Sequence, residues 1–392
     1  MARQVLTLNQ ISVKGLERLP RDCYEIASEF SHPDAILLRS HKLQPGDIAD
    51  SVLAIARAGA GVNNIPVAEC TKRGIPVFNS PGANANAVKE LVATGLLLGS
   101  RGIVDGIRYV DTLDGMDDGA EMHKTLEAHK KEFKGSELIG KTLGVVGLGA
   151  IGSLVAEMAL TMGMDVVGYD PALSVDAAWR LPSQVQKADT LSALFARCDY
   201  ITLHIPVLDA TRGLINAELL NAVRPGTCLL NFARQEIVDE PSLLAALESG
   251  KLRKYIADFP TPLLIGREDV ILMPHIGAST DEAEDNCAIM AADQLRDFLE
   301  NGNIRNSVNV PTLLLDRVTG CRLSVTNENV PKILGSVLSI LADENINVID
   351  MLNKSRNEMA YNLIDISTHP DDQVLDKMRS LDGVVNVRLI GD

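Results

Sequence analysis

The sequence predicts an α/β protein with parallel sheets, followed by a small C-terminal unit of mixed strands and helices. Three observations predict it. Short apolar strands alternate with helical stretches through roughly the first 300 of 392 residues, the pattern of parallel sheets covered by helices on both faces. Within that region, Lys141 to Gly152 followed by Tyr169-Asp170 reads as strand, glycine turn, helix, strand and acid. Beyond residue 319 the order is βαββαβ in about 70 residues, a ferredoxin-like arrangement.

The elements follow in order. Ala35–Leu38, Ala54–Ala56 and Pro76–Phe78 are apolar enough to be buried strands, each followed by a polar or glycine-containing loop. Leu143–Val146 is the strand that enters the glycine turn. Ile151, Leu154, Val155, Met158, Ala159 and Met162 recur at helical spacing after it, and Asp165–Tyr169 returns as a strand. Asp199–Ile205, Thr227–Phe232, Lys254–Ala257 and Val270–Met273 are further strands. Glu240–Leu247 is a helix with Asp239 as its N-cap and Gly250 beyond its end. The polar segment 301–311, closed by Pro311, is expected to be a linker. Past it come strand Arg322–Thr326 and helix Val330–Leu341, with Ile333, Leu334, Val337, Leu338 and Leu341 inward. Strands Asn347–Leu352 and Tyr361–Ile366, helix Gln373–Leu381 and strand Val384–Ile390 complete the unit.

Composition narrows the function. With 46% hydrophobic and 23% charged residues, this is a globular chain long enough for two or three domains. A net charge of −15 argues against nucleic-acid and anionic-membrane partners, and it requires a locally basic pocket for any anionic substrate. The six cysteines are scattered with no C-x-x-C pair, so buried reduced thiols in a cytoplasmic protein are expected, with no metal site. Neither a signal peptide nor a membrane span is expected.

Gly147, Gly149 and Gly152 supply G-x-G-x-x-G. The first glycine permits the tight turn, the second lets the backbone approach a pyrophosphate, and the third packs helix on strand. The helix that follows presents its free N–H groups to the diphosphate. Asp170 stands 18 residues past Gly152, where an acid bonds the adenosine ribose hydroxyls and repels a 2′-phosphate, so NAD is the expected cofactor. Hydride transfer from a hydroxyl carbon further needs a base and a cation, and open α/β sheets place ligands at the carboxyl ends of their strands. Arg234 and His275 stand at two such ends. An arginine fork grips a carboxylate, and a histidine titrates in the range this chemistry needs.

These motifs resemble the D-2-hydroxyacid dehydrogenase family over the whole chain. The matching segments are Leu38-Arg-Ser40, Ala58 to Ile65, Asn79 to Glu90, Gly147 to Gly152, His204-Ile-Pro206, Asn231-Phe-Ala-Arg234 and Pro274 to Thr280. The C-terminal unit resembles an ACT regulatory domain. The resemblance implies a Rossmann-type dinucleotide-binding domain (80–275) inserted in a flavodoxin-like substrate domain (1–79 and 276–310), plus the ferredoxin-like ACT domain (319–392). It implies Arg234 as the substrate-binding arginine and His275 as the acid/base. NAD would be held by Gly147, Gly149, Ala150, Ile151, Gly152, Asp170, His204, Ile205, Pro206, Ala233 and Asp258, with Asp258 on the carboxamide. Arg39, Ser40, Ala60, Gly61 and Asn79 would line the substrate site, and Arg57 is a further phosphate candidate. The implied activity is oxidation of D-3-phosphoglycerate to 3-phosphohydroxypyruvate, the first step of L-serine biosynthesis, by a homo-oligomer.

Two departures from the family pattern matter. The family pairs its histidine with a glutamate five residues after the aspartate matching Asp258, and here that position is Leu263. Glu268, Asp269 and Glu236 are candidate substitutes. Oxidation of another 2-hydroxy acid, such as 2-hydroxyglutarate, or an NAD- and amino-acid-sensing protein without chemistry, are the alternative readings. In the ACT unit Asn329 and Asn347 match asparagines that contact serine as effector, whereas Asn327 replaces a usual histidine and Lys332 a usual glycine. Lysine takes a glycine's backbone conformation only with strain.

Overall fold

Strands β1 (Arg3–Leu8), β2 (Tyr24–Ala27), β3 (Ala35–Leu38), β4 (Ala54–Arg57) and β5 (Val77–Phe78) form a parallel sheet in the order β2-β1-β3-β4-β5. This is the flavodoxin-like order, with its reversal between β1 and β3. Because successive side chains point to opposite faces, Ile36 and Leu38 enter one core with Ile55 and Val77. Ala35 and Leu37 enter another, against Ala288, Ala291 and Leu295 of helix Asp281–Asn301. That helix is capped at one end by Thr280, whose hydroxyl accepts from Ala283 N–H, and at the other by left-handed Gly302. The structure is a computed structural model that describes residues 2–318 and 321–391. The domain limits expected at Met1, Thr319 and Asp392 lie outside them.

The second sheet joins β6 (Thr142–Val146), β7 (Asp165–Tyr169), β8 (Gln186–Lys187), β9 (Tyr200–Leu203), β10 (Thr227–Asn231), β11 (Leu252–Ala257) and β12 (Val270–Leu272). All are parallel, ordered β12-β11-β10-β9-β6-β7-β8, the doubly wound dinucleotide-binding topology with its switch point between β6 and β9. Helix Ala85–Ser100 closes one face. Its Gly95 and Gly99 leave room for Phe232 and Ile256, since a Cβ there would lie 3.0 and 2.7 Å from those side chains.

The third sheet is antiparallel: β13 (Cys321–Glu328), β14 (Val348–Arg356), β15 (Met359–Ile366) and β16 (Val384–Ile390), ordered β14-β15-β13-β16. Its alternation resolves into two buried faces. Leu323, Val325, Ile364 and Ile366 pack under helices Ile333–Asp343 and Asp372–Arg379. The opposite face carries Tyr361 and Leu363 into the core of helix Asp281–Asn301, and every residue of β15 is buried. Arg322, fully buried, forms a bidentate pair with Asp365 (2.6 and 2.8 Å) and donates to the carbonyls of Asn301, Leu315 and Asp316. The Arg388 guanidinium lies 4.5 Å over the Phe298 ring. Contacts divide the chain into one unit of Met1–Asn84 with Thr280–Asp392 and a second of Ala85–Ser279.

Three expectations are corrected. Segment 301–311 is a packed connection rather than a linker. Ile304 and Val310 are buried, Ile304 bridges Leu313, and the Asn309 amide accepts from Val77 N–H and donates to Ile75 O. Its polar composition misled because the Asn309 side chain satisfies the backbone beside β5. All six cysteines are free, but Cys23 is exposed and Cys321 half-buried, so only four are buried thiols. Helix Ile333–Asp343 starts three residues later than expected and is preceded by Lys332 at φ +82, so the lysine does adopt the left-handed conformation. The strain costs about 1–3 kcal/mol.

Candidate active site

At the switch point of the second sheet, the chain leaves β6 through Gly147 at φ +90, whose N–H donates to Tyr169 O. A Cβ on Gly147 would lie 2.5 Å from the carbonyl of His204, the residue after β9, so the two strand ends approach too closely for a side chain. Gly152 is tighter still: its Cβ would sit 1.9 Å from Gly147 O. Gly149 is the opposite case, with nothing within 4 Å of a Cβ, so this glycine borders open space that its own fold does not fill. The helix Ala150–Thr161 begins there, and its first N–H groups precede the first ladder bond, Ser153 N to Gly149 O. Open backbone and a helix N-terminus fit a diphosphate.

Asp170 ends β7 and closes the turn, accepting from Leu148 N–H and Ala172 N–H at 2.9 Å each. A carboxylate has about four acceptor positions, so two remain for ribose hydroxyls. His204 bonds Thr202 Oγ1 through Nε2 at 3.0 Å, while its buried Nδ1 has no partner among the described residues. Burial pushes this imidazole down to about 3, so it stays neutral. Ile205 is half-buried beside it and Pro206 is exposed. Sequence reasoning missed Gly168: a Cβ there would lie 2.7 Å from Leu148 Cδ1, so this glycine seats the turn's leucine. A glycine inside a strand is the signal that marks it.

Three groups gather at the carboxyl ends of β10, β11 and β12. Fully buried Asn231 shapes the first: its amide donates to Arg234 O (2.9 Å) and to the Tyr255 hydroxyl (3.3 Å), and its oxygen accepts from Ala233 N–H. The Arg234 side chain is exposed and, among the described residues, donates only to the neighbouring Ala233 O, at 2.7 Å, leaving most of its fork available. Asp258 is 1% exposed. Its Oδ2 accepts from Gly277 N–H at 2.9 Å, and its Oδ1 has no partner among the described residues. Burial raises this carboxyl above the usual aspartate range, opposed by the Gly277 N–H and by the charges of His275 and Arg234. An unpartnered buried acceptor fits a carboxamide donor.

His275 takes φ +50, its N–H shared between Asp258 O (2.8 Å) and Met273 O (3.1 Å), and its exposed ring lies 4.8 Å from the Phe259 ring. Leu263 is 61% exposed on the turn after Thr261, which bonds Glu240. Of the substitute acids, Asp269 is engaged by Arg267 at 2.9 and 2.8 Å, and Glu268 and Glu236 are exposed. Asp258, at the neighbouring strand end, lies near enough for the His275 charge to act on its carboxyl, and the Phe259 ring flanks the imidazole.

The first unit brings together its own set. Arg39 and Ser40 follow β3 at the switch point of that sheet, and Ser40 Oγ lies 3.5 Å from Asn9 Oδ1, the residue after β1. The Arg39 carbonyl accepts from Arg57 Nε and Asn64 Nδ2, both at 3.0 Å. Arg57 also donates to Gly61 O (2.6 Å), and Asn79 Nδ2 donates to Ala60 O (2.6 Å). Arg57 and Asn79 thereby brace the Gly59–Gly61 loop. In the third sheet, Asn329 (bonded to Asn357 O) follows the end of β13 that pairs with Met359. Asn347 precedes β14 at the end that pairs with Ile366. The structure does not bring these two asparagines together within one chain. Asn327 is buried and bonded to Asn362 and Glu328 O, turned away from solvent.

Residues 110–277 match the family described as D-isomer specific 2-hydroxyacid dehydrogenase, NAD binding domain. A D-3-phosphoglycerate dehydrogenase of Haemophilus influenzae is 32% identical over 358 residues, covering 88% of this chain and 82% of that one. This chain belongs to the D-isomer specific 2-hydroxyacid dehydrogenases. A D-3-phosphoglycerate dehydrogenase of Synechocystis is 37% identical over 317 residues, a match that spans 53% of its length. Among solved structures, an NAD+-bound 3-phosphoglycerate dehydrogenase of Entamoeba histolytica aligns at a TM-score of 0.62 and 28% identity, over 80% of this chain and all of that one. The D-mandelate dehydrogenase of Rhodotorula graminis, 23% identical at a TM-score of 0.66, shares the fold. This dehydrogenase therefore uses NAD, and among its described residues no helix is long and apolar enough to cross a membrane.

Proposed function

We propose that this dehydrogenase oxidises D-3-phosphoglycerate to 3-phosphohydroxypyruvate, the first step of L-serine biosynthesis. The observation that carries the reading is the gathering of Arg234, Asp258 and His275 at adjacent strand ends, in a chain whose relatives are named for this reaction. Bound NAD supplies the hydride acceptor. His275 takes the hydroxyl proton as the substrate C–H bond is lost, and Arg234 holds the carboxylate and the oxygen that becomes a carbonyl. Asp258 offers the carboxamide an acceptor and places negative charge near the imidazolium, work the family divides between an aspartate and a glutamate. Gly147, Gly149, Ala150, Ile151 and Gly152 hold the diphosphate, and Asp170 the ribose. His204, Ile205, Pro206 and Ala233 complete the cofactor set. Arg39, Ser40, Ala60, Gly61 and Asn79 bind the substrate anion, Arg57 acting through the loop it braces.

The test is a panel of initial rates with D-3-phosphoglycerate, D-glycerate and D-2-hydroxyglutarate. The reading expects phosphoglycerate to lead in kcat/KM by at least about tenfold, the worth of one well-made charge-assisted contact. A lead for hydroxyglutarate contradicts it. We further propose residues 319–392 as the ACT regulatory domain, with serine as effector at Asn329 and Asn347. Their placement at opposite sheet ends requires two copies to complete such a site. A homo-oligomer is also favoured by the apolar face of helix Ile103–Asp111, where Ile107 and Val110 are 59% and 54% exposed. Its four buried free thiols suit a cytoplasmic setting.

A further inference from the structure

We infer that Glu284 is a positioning residue for the substrate anion: it sets the orientation of Arg39 and weakens that arginine's grip on a phosphate. The inference rests on the proposed substrate site. Arg39 occupies the switch point of the first sheet, where open α/β sheets take their ligands, and its backbone carbonyl is fixed by two donors. Its guanidinium is not left to solvent. Nη1 meets Glu284 Oε2 at 2.5 Å, and the two side chains are 33% and 43% exposed. Glu284 belongs to the first turn of helix Asp281–Asn301, where the helix dipole favours a carboxylate. Arg39 in turn holds the Glu284 carboxyl below the usual range.

An ion pair this exposed contributes little to stability, so the fold does not require it. What it does control is the charge a ligand meets. A guanidinium has five donors; one edge is taken by Glu284 and the other stays available in a fixed orientation. A phosphate docking on that edge gains a pre-set hydrogen-bonding fork and also faces a carboxylate across it. For a chain of net charge −15, this makes Glu284 a brake on a site that is otherwise built to attract anions. The brake acts on the phosphate that Arg39 meets, so a substrate without a phosphate should be nearly blind to it.

Two substitutions separate the effects. Glu284→Gln keeps an acceptor for Arg39 and removes the charge. Its KM for D-3-phosphoglycerate should fall about fivefold, as expected for one partly screened unit charge nearby, with kcat moving far less. The KM for unphosphorylated D-glycerate should move less than about twofold. Arg39→Gln should raise the phosphoglycerate KM at least about tenfold, and adding Glu284→Gln to it should change nothing further. If Arg39→Gln raises KM while Glu284→Gln leaves it unchanged or raises it, this inference is overturned and the substrate site stands. If Arg39→Gln is itself without effect, the substrate site is misplaced and the inference falls with it.

Discussion

Replacing Arg322 by methionine should loosen the whole C-terminal sheet. The side chain is fully buried and makes five hydrogen bonds, two to Asp365 and one each to the carbonyls of Asn301, Leu315 and Asp316. Methionine approximates its volume, so the loss is electrostatic. Asp365, 2% exposed, would keep a charge with no counter-ion. Removing one partner of a buried pair costs about 3–5 kcal/mol, more than the desolvation saved. The three orphaned carbonyls act in the same direction. Adding Asp365→Leu should recover most of that loss, because the charge without a partner is then gone. A chain of several domains does not unfold in one step, so the assay is native-state hydrogen exchange at the amides of β13 and β15. At 3 kcal/mol or more, Arg322→Met should speed their exchange at least about a hundredfold, and the double variant should restore it to within about tenfold. Exchange accelerated less than about fivefold in Arg322→Met would refute the reasoning.

Other perturbations test the cofactor site. Gly149→Ala should melt as the parent does, because its Cβ meets nothing, yet weaken NAD at least about tenfold in a binding titration. Gly152→Ala should lower both the melting temperature and NAD affinity, its Cβ being 1.9 Å from a carbonyl oxygen; unchanged binding in both variants would remove the cradle from the account. His204 is held near 3 against an ordinary value of about 6.5, so the unfolded chain binds the extra proton. Its contribution is complete above about pH 6.5 and is lost as pH falls towards 3, with a slope of at most about 1.4 kcal/mol per pH unit. His204→Gln should flatten acid destabilisation in that window, and an unaltered pH slope of the opening free energy of the β6 and β9 amides in native-state hydrogen exchange would exclude the assignment. Asp258→Asn should lower kcat/KM by about 10- to 100-fold and weaken NAD, while thermal stability changes little. A loss confined to stability would make Asp258 structural.

Much of the fold was legible because backbone chemistry wrote it into short patterns. Asp165–Tyr169 and Val384–Ile390 run as expected to the residue, and Asp239 caps Glu240–Glu248 through its carboxylate. The G-x-G-x-x-G spacing marked the turn; close contacts explain Gly147 and Gly152, and Gly149 is set apart by the open space beside it. Segment 301–311 was misjudged because asparagines that serve buried backbone look the same in sequence as asparagines in water. Half of the C-terminal sheet's burial was equally hidden. The alternation in β15 shows which residues share a face, but not that Tyr361 and Asp365 meet a second core. The substitute for the family glutamate could not be chosen from spacing either. Asp258 is proposed in that role for its burial at the strand end next to that of His275, while Leu263 turns outward.

This dehydrogenase, lacking the usual glutamate, should still oxidise D-3-phosphoglycerate, with Asp258 serving His275. The most direct test follows NADH formation by the purified chain with D-3-phosphoglycerate and NAD, beside the Leu263→Glu variant. Substrate-dependent turnover by the parent is expected, with the variant within about tenfold of it, since position 263 faces solvent. A silent parent whose activity is restored by glutamate would contradict it, leaving a chain that binds NAD without performing the chemistry.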